Sequence, residues 1–237
     1  MPDIATDRPT RRNALKTVAG VGSAALVTGA GSRVRAADTD PLTIVHGTQF
    51  HGRFGRGENE PDVSRYATTV NELREDHSNA VFVATGDDIA KAPLATPLRG
   101  RHVIDALNYL DPAVAAIGNH EFDYGVSTLR ERVDRSSFEW PSANLLDGGD
   151  GPVAGSERWT IGSVGDVTVG FFGLTPRNTG ELAPRFPEKY GIRPNVLAAR
   201  EAVAELHEAD ADRIVCASHL ALAGTRRPSP SVSIAST

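Results

Sequence analysis

The sequence is poor in cysteine, with Cys216 the single example among 237 residues, and this excludes any disulfide bond within the chain. Cys216 lies in an apolar run over residues 214–217, which predicts a buried and unreactive thiol. Lysine is also scarce, so arginine supplies nearly all of the positive charge. The 25 basic residues are outnumbered by 30 acidic ones, and the formal net charge of −5 argues against a general nucleic-acid-binding surface.

The sequence also lacks an apolar run that is long enough, and poor enough in glycine, to predict a membrane span. A weakly apolar stretch at residues 17–30 follows the pair Arg11-Arg12 and precedes a small-residue cleavage site at residues 34–36. This order predicts a signal peptide over residues 1–36, and the arginine pair resembles a twin-arginine export signal. The alternative, a short basic amphipathic helix, is disfavoured by the glycines. We therefore expect export by the twin-arginine translocase to the periplasm, the cell surface or the medium.

What the chain does contain is an alternation of short apolar runs with segments of helical spacing. Its content of 40% hydrophobic and 23% charged residues suits a globular chain of one domain. The predicted strands cover residues 42–45, 80–85, 113–117, 142–145, 159–161, 167–174 and 213–218, and the predicted helices cover 63–75, 103–110, 126–133 and 196–209. Residues 175–194 are predicted to be irregular, and residues 224–237 to be a disordered tail. This alternation predicts an α/β fold.

One stretch, AVAAIGNHEFDYG at residues 113–125, concentrates polar chemistry directly after an apolar run. The apolar residues and the following glycine predict a buried strand that stops abruptly. Asn119, His120, Glu121 and Asp123 then follow within five residues. Two interpretations of this stretch stand at this point: an Asx-type turn, or a functional loop held by a rigid scaffold.

Matching residues after other predicted strands favour the functional loop. His51, Asp87, Asn119 and His219 each follow a predicted strand, and all four are of metal-binding residue types. Each alone has an ordinary alternative: a surface loop residue, a helix N-cap, a turn residue and a buried imidazole, respectively. In parallel α/β sheets, however, sites form outside the carboxyl ends of the strands. The four residues together therefore predict one site.

The order of the motifs resembles that of a known family. The motifs are IVHGTQFHGR at residues 44–53, Gly86-Asp87, GNHEFD at residues 118–123, Ser142-Ala143-Asn144 and Ser218-His219-Leu220. Over residues 42–222 they resemble the calcineurin-like metallophosphoesterases, in the branch of exported 5′-nucleotidases and 2′,3′-cyclic phosphodiesterases. The resemblance implies an α/β fold in which a β-sandwich is flanked by helices, an αββα arrangement.

The resemblance also implies two divalent cations that share a bridging carboxylate, which would be Asp87. Asn119 and His219 would bind one cation, and His51 would bind the other. Manganese, zinc, iron and cobalt all suit such ligands. Two metals of this kind generate a nucleophile from water at neutral pH and stabilise both oxygens of an in-line displacement.

Two further roles are implied for residues that do not bind metal. His120 would contact the scissile phosphate and either stabilise the transition state or protonate the leaving group. Asp123 would orient the imidazole of His120. The implied reaction is hydrolysis of a small phosphoester such as a nucleotide phosphomonoester.

The chain departs from the family pattern in two places. Gln49 stands where the family has a ligand aspartate, and no histidine follows His219, where the family has Gly-His-x-His. We therefore expect a catalytic domain over residues 37–223 that is incomplete at its C-terminus and holds at most one metal firmly, because paired cations repel unless anionic ligands compensate. Two alternatives stay open: an inactive fragment that binds metal or phosphate weakly, and a thiosulfohydrolase of the same fold.

Overall fold

The computed structural model describes residues 41–53, 62–93, 95–149 and 151–220. Within these ranges, two three-stranded sheets lie face to face, and helices cover the outer face of each. This confirms the predicted αββα sandwich. None of the helices in the described ranges combines the length and apolar character needed to cross a bilayer. The predicted signal peptide and the predicted tail lie outside the described residues.

The elements alternate along the chain as the sequence predicts. In chain order they are β1 (Thr43–Gly47), α1 (Val63–Glu75), β2 (Ala80–Ala84), α2 (Ala95–Leu98), α3 (Arg101–Leu110), β3 (Val114–Ala115), a 3₁₀ turn (His120–Phe122), α4 (Val126–Arg135), β4 (Leu145–Leu146), β5 (Trp159–Val164), β6 (Val167–Leu174), α5 (Thr179–Leu182), β7 (Gly191–Ile192), α6 (Asn195–Glu208) and β8 (Arg213–Ser218). The bounds of α1, β6 and β8 are those predicted, and the other long elements differ from the prediction by a few residues at most.

The first sheet, in the order β1-β2-β3, is parallel throughout. Its connecting helices α1 and α3 form for local reasons. The side chain of Asp62 caps α1 by accepting from the Ser64 backbone N–H at 2.9 Å. Helix α3 places Val103, Ile104 and Leu107 on one fully buried face at helical spacing. Because β1, β2 and β3 run in the same direction, their three carboxyl ends lie at the same edge of the sheet.

The second sheet has the order β5-β6-β8. Strands β5 and β6 form the predicted antiparallel hairpin around Gly165-Asp166, and β8 pairs with β6 in parallel through the crossover helix α6. Helix α6 packs on this sheet through Ala198, Ala202 and Leu206, which recur every fourth residue and are fully buried. The carboxyl end of β8 lies at the same edge as those of the first sheet, because His219, which follows β8, contacts Thr85, which follows β2.

The hydrophobic core has three layers, one between the sheets and one under each group of helices. Alternate residues of β2 serve different layers: Val81 and Val83 face the other sheet, whereas Phe82 and Ala84 face the helices. Burial on both faces explains why the sequence of β2 is continuously apolar. Packing on both faces thus fixes the position of the carboxyl end of β2.

The segment predicted to be irregular, residues 175–194, contains two short elements, α5 and β7. Helix α5 begins after a turn in which the Thr179 hydroxyl donates to the Pro176 carbonyl at 2.6 Å. Strand β7 pairs with β4 through Leu145 and Ile192. Elements of two to four residues carry no measurable periodicity, so tertiary contacts rather than sequence pattern determine them.

The prediction of a buried Cys216 is wrong, because the residue is exposed. Strand β8 has β6 on one side, and within the described ranges no strand pairs with its other side. Cys216 therefore lines an open cleft rather than a closed core. Partial burial by the surrounding strand residues still raises the pKa of the thiol to about 11. An apolar run alone could not reveal that this strand lies at a sheet edge.

Candidate metal centre

The loops after β1 and β2 run side by side and continue the parallel pairing beyond the sheet. The Gln49 N–H donates to the Gly86 carbonyl at 3.0 Å, and the His51 N–H donates to the Asp87 carbonyl at 2.9 Å. These backbone bonds fix His51 beside Asp87. The structure therefore brings together residues that are 36 positions apart in the sequence.

Asp87 is the central residue of the cluster, and its carboxylate is almost completely buried. One oxygen, Oδ1, accepts from the His120 backbone N–H at 2.9 Å, and the other, Oδ2, lies 2.9 Å from His219 Nε2. Potential ligand atoms of His51, Asp87 and His120 all lie within 4.8 Å of one another. A single cation could reach all three side chains.

His219 joins the second sheet to this cluster. Its Nδ1 lies 2.8 Å from the Thr85 carbonyl, so both ring nitrogens face oxygen acceptors. Burial by itself lowers the pKa of His219, but the hydrogen bond and charge of Asp87 and the bond to Thr85 raise it to about 9. Burial likewise opposes ionisation of Asp87, but its bonds from His219 and His120 leave its pKa lowered. The two groups form a buried ion pair.

His120 is hydrogen-bonded to Asp123, the residue that the family resemblance implies would orient it. His120 Nδ1 lies 2.9 Å from Asp123 Oδ2, and His120 Nε2 lies 4.0 Å from Asp87 Oδ2. An N–H on Nδ1 that donates to Asp123 leaves Nε2 facing the cluster. The ring of His51 lies edge-on to that of His120, with 5.4 Å between the centroids.

His51 is ready to act as a ligand. Its buried Nδ1 has no hydrogen-bond partner within the described part of the chain. Burial is the largest cause of a lowered pKa for His51, opposed by the charge of Asp87. A neutral imidazole with a free lone pair is the form that binds metal ions.

Asn119 and Gln49 line the same cleft of about 900 Å³ as Asp87 and His219. Asn119 is buried and Gln49 is exposed. All of the predicted site residues therefore lie at this edge of the sandwich. Apolar side chains, including Val215 of β8, also line the cleft.

Comparisons with known proteins agree with this geometry. No protein-family model matches the chain. The snake venom 5′-nucleotidase of Gloydius brevicauda is 29% identical over 164 residues, which cover 62% of this chain and 28% of that protein. The 5′-nucleotidase precursor from Thermus thermophilus superposes with a TM-score of 0.67 at 26% identity, over 76% of this chain and 37% of that one. The chain thus spans about a third of the length of these relatives.

The calcineurin-like phosphoesterase YfkN from Bacillus subtilis superposes with a TM-score of 0.69, over 79% of this chain and 64% of that one. Its 21% identity supports the fold alone. The relatives in sequence and the neighbours in structure point the same way. The chain is thus similar to 5′-nucleotidases in sequence and to calcineurin-like phosphoesterases in fold.

Three residues of the candidate site have left-handed backbone conformations. The φ angles of Gln49, His51 and Asp87 are 59°, 51° and 58°. Such a conformation costs a non-glycine residue about 1–2 kcal/mol. It persists where the surrounding structure imposes it, and here the paired loops do so through backbone hydrogen bonds.

Several residues of the candidate site were not predicted from the sequence. Arg177, Asn178 and Asn195 line the cleft opposite Asp87, and they lie in or beside the segment predicted to be irregular. Glu121 and Asp88 are fully buried acids next to predicted ligands. The signal for Glu121 was present, because a charged residue within a buried motif needs partners that compensate its charge.

Proposed function

We propose that this chain is a metal-dependent phosphoesterase that hydrolyses nucleotide phosphomonoesters, as 5′-nucleotidases do. The observation that carries the proposal is the position of Asp87, which lies between potential ligands in His51 and His219 and beside His120, the proposed general acid. Relatives that are named 5′-nucleotidases support the choice of a nucleotide. Arg177 and two asparagines in the cleft wall offer further polar contacts to such a substrate.

The residues present fit a divalent cation. The unpaired Nδ1 of His51, the Asp87 carboxylate and the amide oxygen of Asn119 are nitrogen and oxygen donors, which suit manganese, zinc, iron or cobalt. His219 would give up its proton on Nε2 and keep the bond from Nδ1 to Thr85. A bound cation supplies Lewis acidity, which polarises the phosphoryl oxygens and lowers the pKa of water at the site.

We propose that side chains of the protein protonate the leaving group. Asp123 accepts from Nδ1–H of His120 and orients the ring, so that a proton on Nε2 can be donated to the oxygen that leaves phosphorus. Among the proposed ligands Asp87 is the only carboxylate, and Gln49 is neutral. Because two cations would share a single negative charge, we propose that one metal binds firmly and a second weakly.

A test of this function uses the purified full chain with manganese. We expect hydrolysis of AMP and bis(p-nitrophenyl) phosphate to require Mn²⁺ and to stop when EDTA removes it. The His120→Ala variant is expected to retain bound manganese but to lose at least about 100-fold in turnover, the usual contribution of a general acid. Elemental analysis and a phosphate-release assay measure the two quantities. Equal turnover by the variant, or none by the wild type with any of the four metals, would contradict the proposal.

A second function, binding of metal or phosphate without turnover, is favoured by one observation. Gln49 places a neutral amide where a second anionic ligand would strengthen a metal pair. The same experiment separates the two functions. Stoichiometric manganese without hydrolysis of either substrate would support binding alone.

We also propose that the protein acts outside the cytoplasm. The order of Arg11-Arg12, an apolar stretch and small residues supports this, and one relative is a venom protein. Replacement of Arg11 and Arg12 together by lysine is expected to retain the protein in the cytoplasm of a twin-arginine-competent host. Arg8→Lys, outside the pair, is the matched control and should leave export unchanged. Cell fractionation measures both, and equal export of the double variant would contradict the proposal.

A further inference from the structure

Glu121 lies beneath the metal centre, with its carboxylate between the loops that follow β2 and β3. Oε2 accepts from the backbone N–H groups of Gly118 at 2.7 Å and Asp87 at 2.9 Å. Oε1 accepts from those of Asp88 at 2.7 Å and Ile89 at 3.4 Å. The side chain is fully buried. Both oxygens therefore have two donors each, which is close to the full capacity of a carboxylate.

The donors belong to two different loops, and each loop carries predicted site residues. The loop after β2 carries Asp87, and the loop after β3 carries Asn119 and His120. The only other side-chain bond between these loops that we find in the described residues at the centre is from His120 N–H to Asp87 Oδ1. The Glu121 carboxylate thus provides the larger part of the connection.

The neighbouring acid, Asp88, shows that burial alone does not produce this arrangement. Its carboxylate is equally buried but accepts a single long bond, from the Phe50 N–H at 3.4 Å, and its Oδ2 has no hydrogen-bond partner within the described ranges. Burial raises the pKa of both acids, and that of Asp88 lies well above its ordinary value. Of the two acids, only Glu121 has the backbone donors that a buried carboxylate requires.

We propose that Glu121 is a positioning residue that joins the loops after β2 and β3 and sets the separation of Asp87 from Asn119 and His120 before any metal binds. Glu121 does not line the cleft. Its relevance to metal binding rests on the proposed function, whereas its connection of the loops does not.

A carboxylate is required at this position because both of its oxygens accept. In Glu121→Gln one oxygen becomes an NH₂ group, which is a donor and faces two backbone donors. Two of the four N–H groups then lose their acceptor, whichever oxygen is replaced. The loops should separate at this point while the sheets, which contribute no donor to Glu121, stay paired.

The direct test is amide hydrogen exchange of the metal-free full chain, followed by NMR. In Glu121→Gln we expect the amides of Gly118, Asp87 and Asp88 to exchange at least about tenfold faster, relative to amides of the central strand β2 in the same sample. Leu107→Ala is the control, because it removes a fully buried side chain of α3 remote from these bonds. It should accelerate loop and strand amides together. Glu121→Asp, which retracts the carboxylate by one methylene, replaces the glutamine variant if that does not fold.

Manganese affinity, measured by calorimetry, is the second readout. We expect Glu121→Gln to bind Mn²⁺ about 10–100-fold more weakly than the wild type, and Leu107→Ala to bind as the wild type does. Parallel exchange of loop and strand amides in Glu121→Gln would overturn the connection of the loops. Unchanged manganese affinity would overturn its role at the metal centre. Failure of the wild type to bind any metal would overturn the proposed function and leave the exchange result to decide the connection.

Discussion

Asp87→Asn is expected to abolish hydrolysis and to weaken Mn²⁺ binding by at least about 100-fold. The substitution keeps the shape of the side chain and one oxygen for the His120 N–H, but it removes the only carboxylate among the proposed ligands. Asparagine also tolerates the left-handed backbone at this position. The loss should therefore reflect charge rather than misfolding. Calorimetry with Mn²⁺ and a phosphate-release assay measure the two effects.

Asp87→Asn is also expected to lower the stability of the metal-free protein in a pH-dependent way. The ion pair with His219 is worth about 1.5–3 kcal/mol when its hydrogen bond is charge-assisted. The His219 contribution is fully present below pH 6.5, its ordinary pKa, and is lost as the pH rises through about 9. The Asp87 contribution is present above pH 3.8 and is lost as the pH falls through its lowered pKa. Thermal unfolding in EDTA should thus separate wild type from Asp87→Asn most clearly at pH 5–7 and bring them together above about pH 9.

Asp105→Asn is the control for both measurements. Asp105 forms an ion pair with Arg135 at 2.6 Å, but both side chains are nearly half exposed, so the pair contributes little. Its loss should change neither manganese affinity nor the pH dependence of unfolding. An Asp87→Asn protein that binds manganese as the wild type does would show that Asp87 is not a ligand.

Gly118→Ala is expected to destabilise the protein by about 2–5 kcal/mol and to disrupt the metal centre. A Cβ atom at this position would collide with Asp87 Oδ1 and would lie 2.7 Å from Asp87 N and 2.8 Å from Glu121 Oε2. None of these atoms can retreat freely, because they form the hydrogen bonds that join the two loops. Chemical denaturation and Mn²⁺ calorimetry measure the outcome.

Gly149→Ala provides a matched control for the added methyl group. A Cβ atom on Gly149 would meet nothing within 4 Å. We expect its free energy of unfolding to stay within about 0.5 kcal/mol of the wild type. Equal stability of the Gly118 and Gly149 variants would mean that the two loops are not closely packed.

The sequence predicts the long elements well because each carries its own pattern. The helix at 63–75 has an apolar stripe and a capping aspartate, and its bounds are those of α1. The short elements α2 and α5 escape prediction because four residues hold too little periodicity. Cys216 was misplaced because an apolar run does not tell an edge strand from a central one.

The candidate site divides in the same way. The proximity of residues at strand ends can be predicted, because the carboxyl ends of parallel strands lie at one edge of a sheet. His51, Asp87 and Asn119 follow such strands. The sequence indicates that Glu121 needs compensating partners but does not identify them, because they are backbone amides, which every residue except proline has. Its role depends on how the fold positions these amides around the carboxylate.

The bond from His219 to the Thr85 carbonyl has a consequence for the order in which the protein assembles. These residues are 134 positions apart, and β8 is the last described strand along the chain. Closing so long a loop costs chain entropy before the contact forms, so we expect this contact to form late in folding. During synthesis, residues 43–123 leave the ribosome well before His219 does. We therefore expect the proposed metal site to reach its full affinity only after the second sheet has docked.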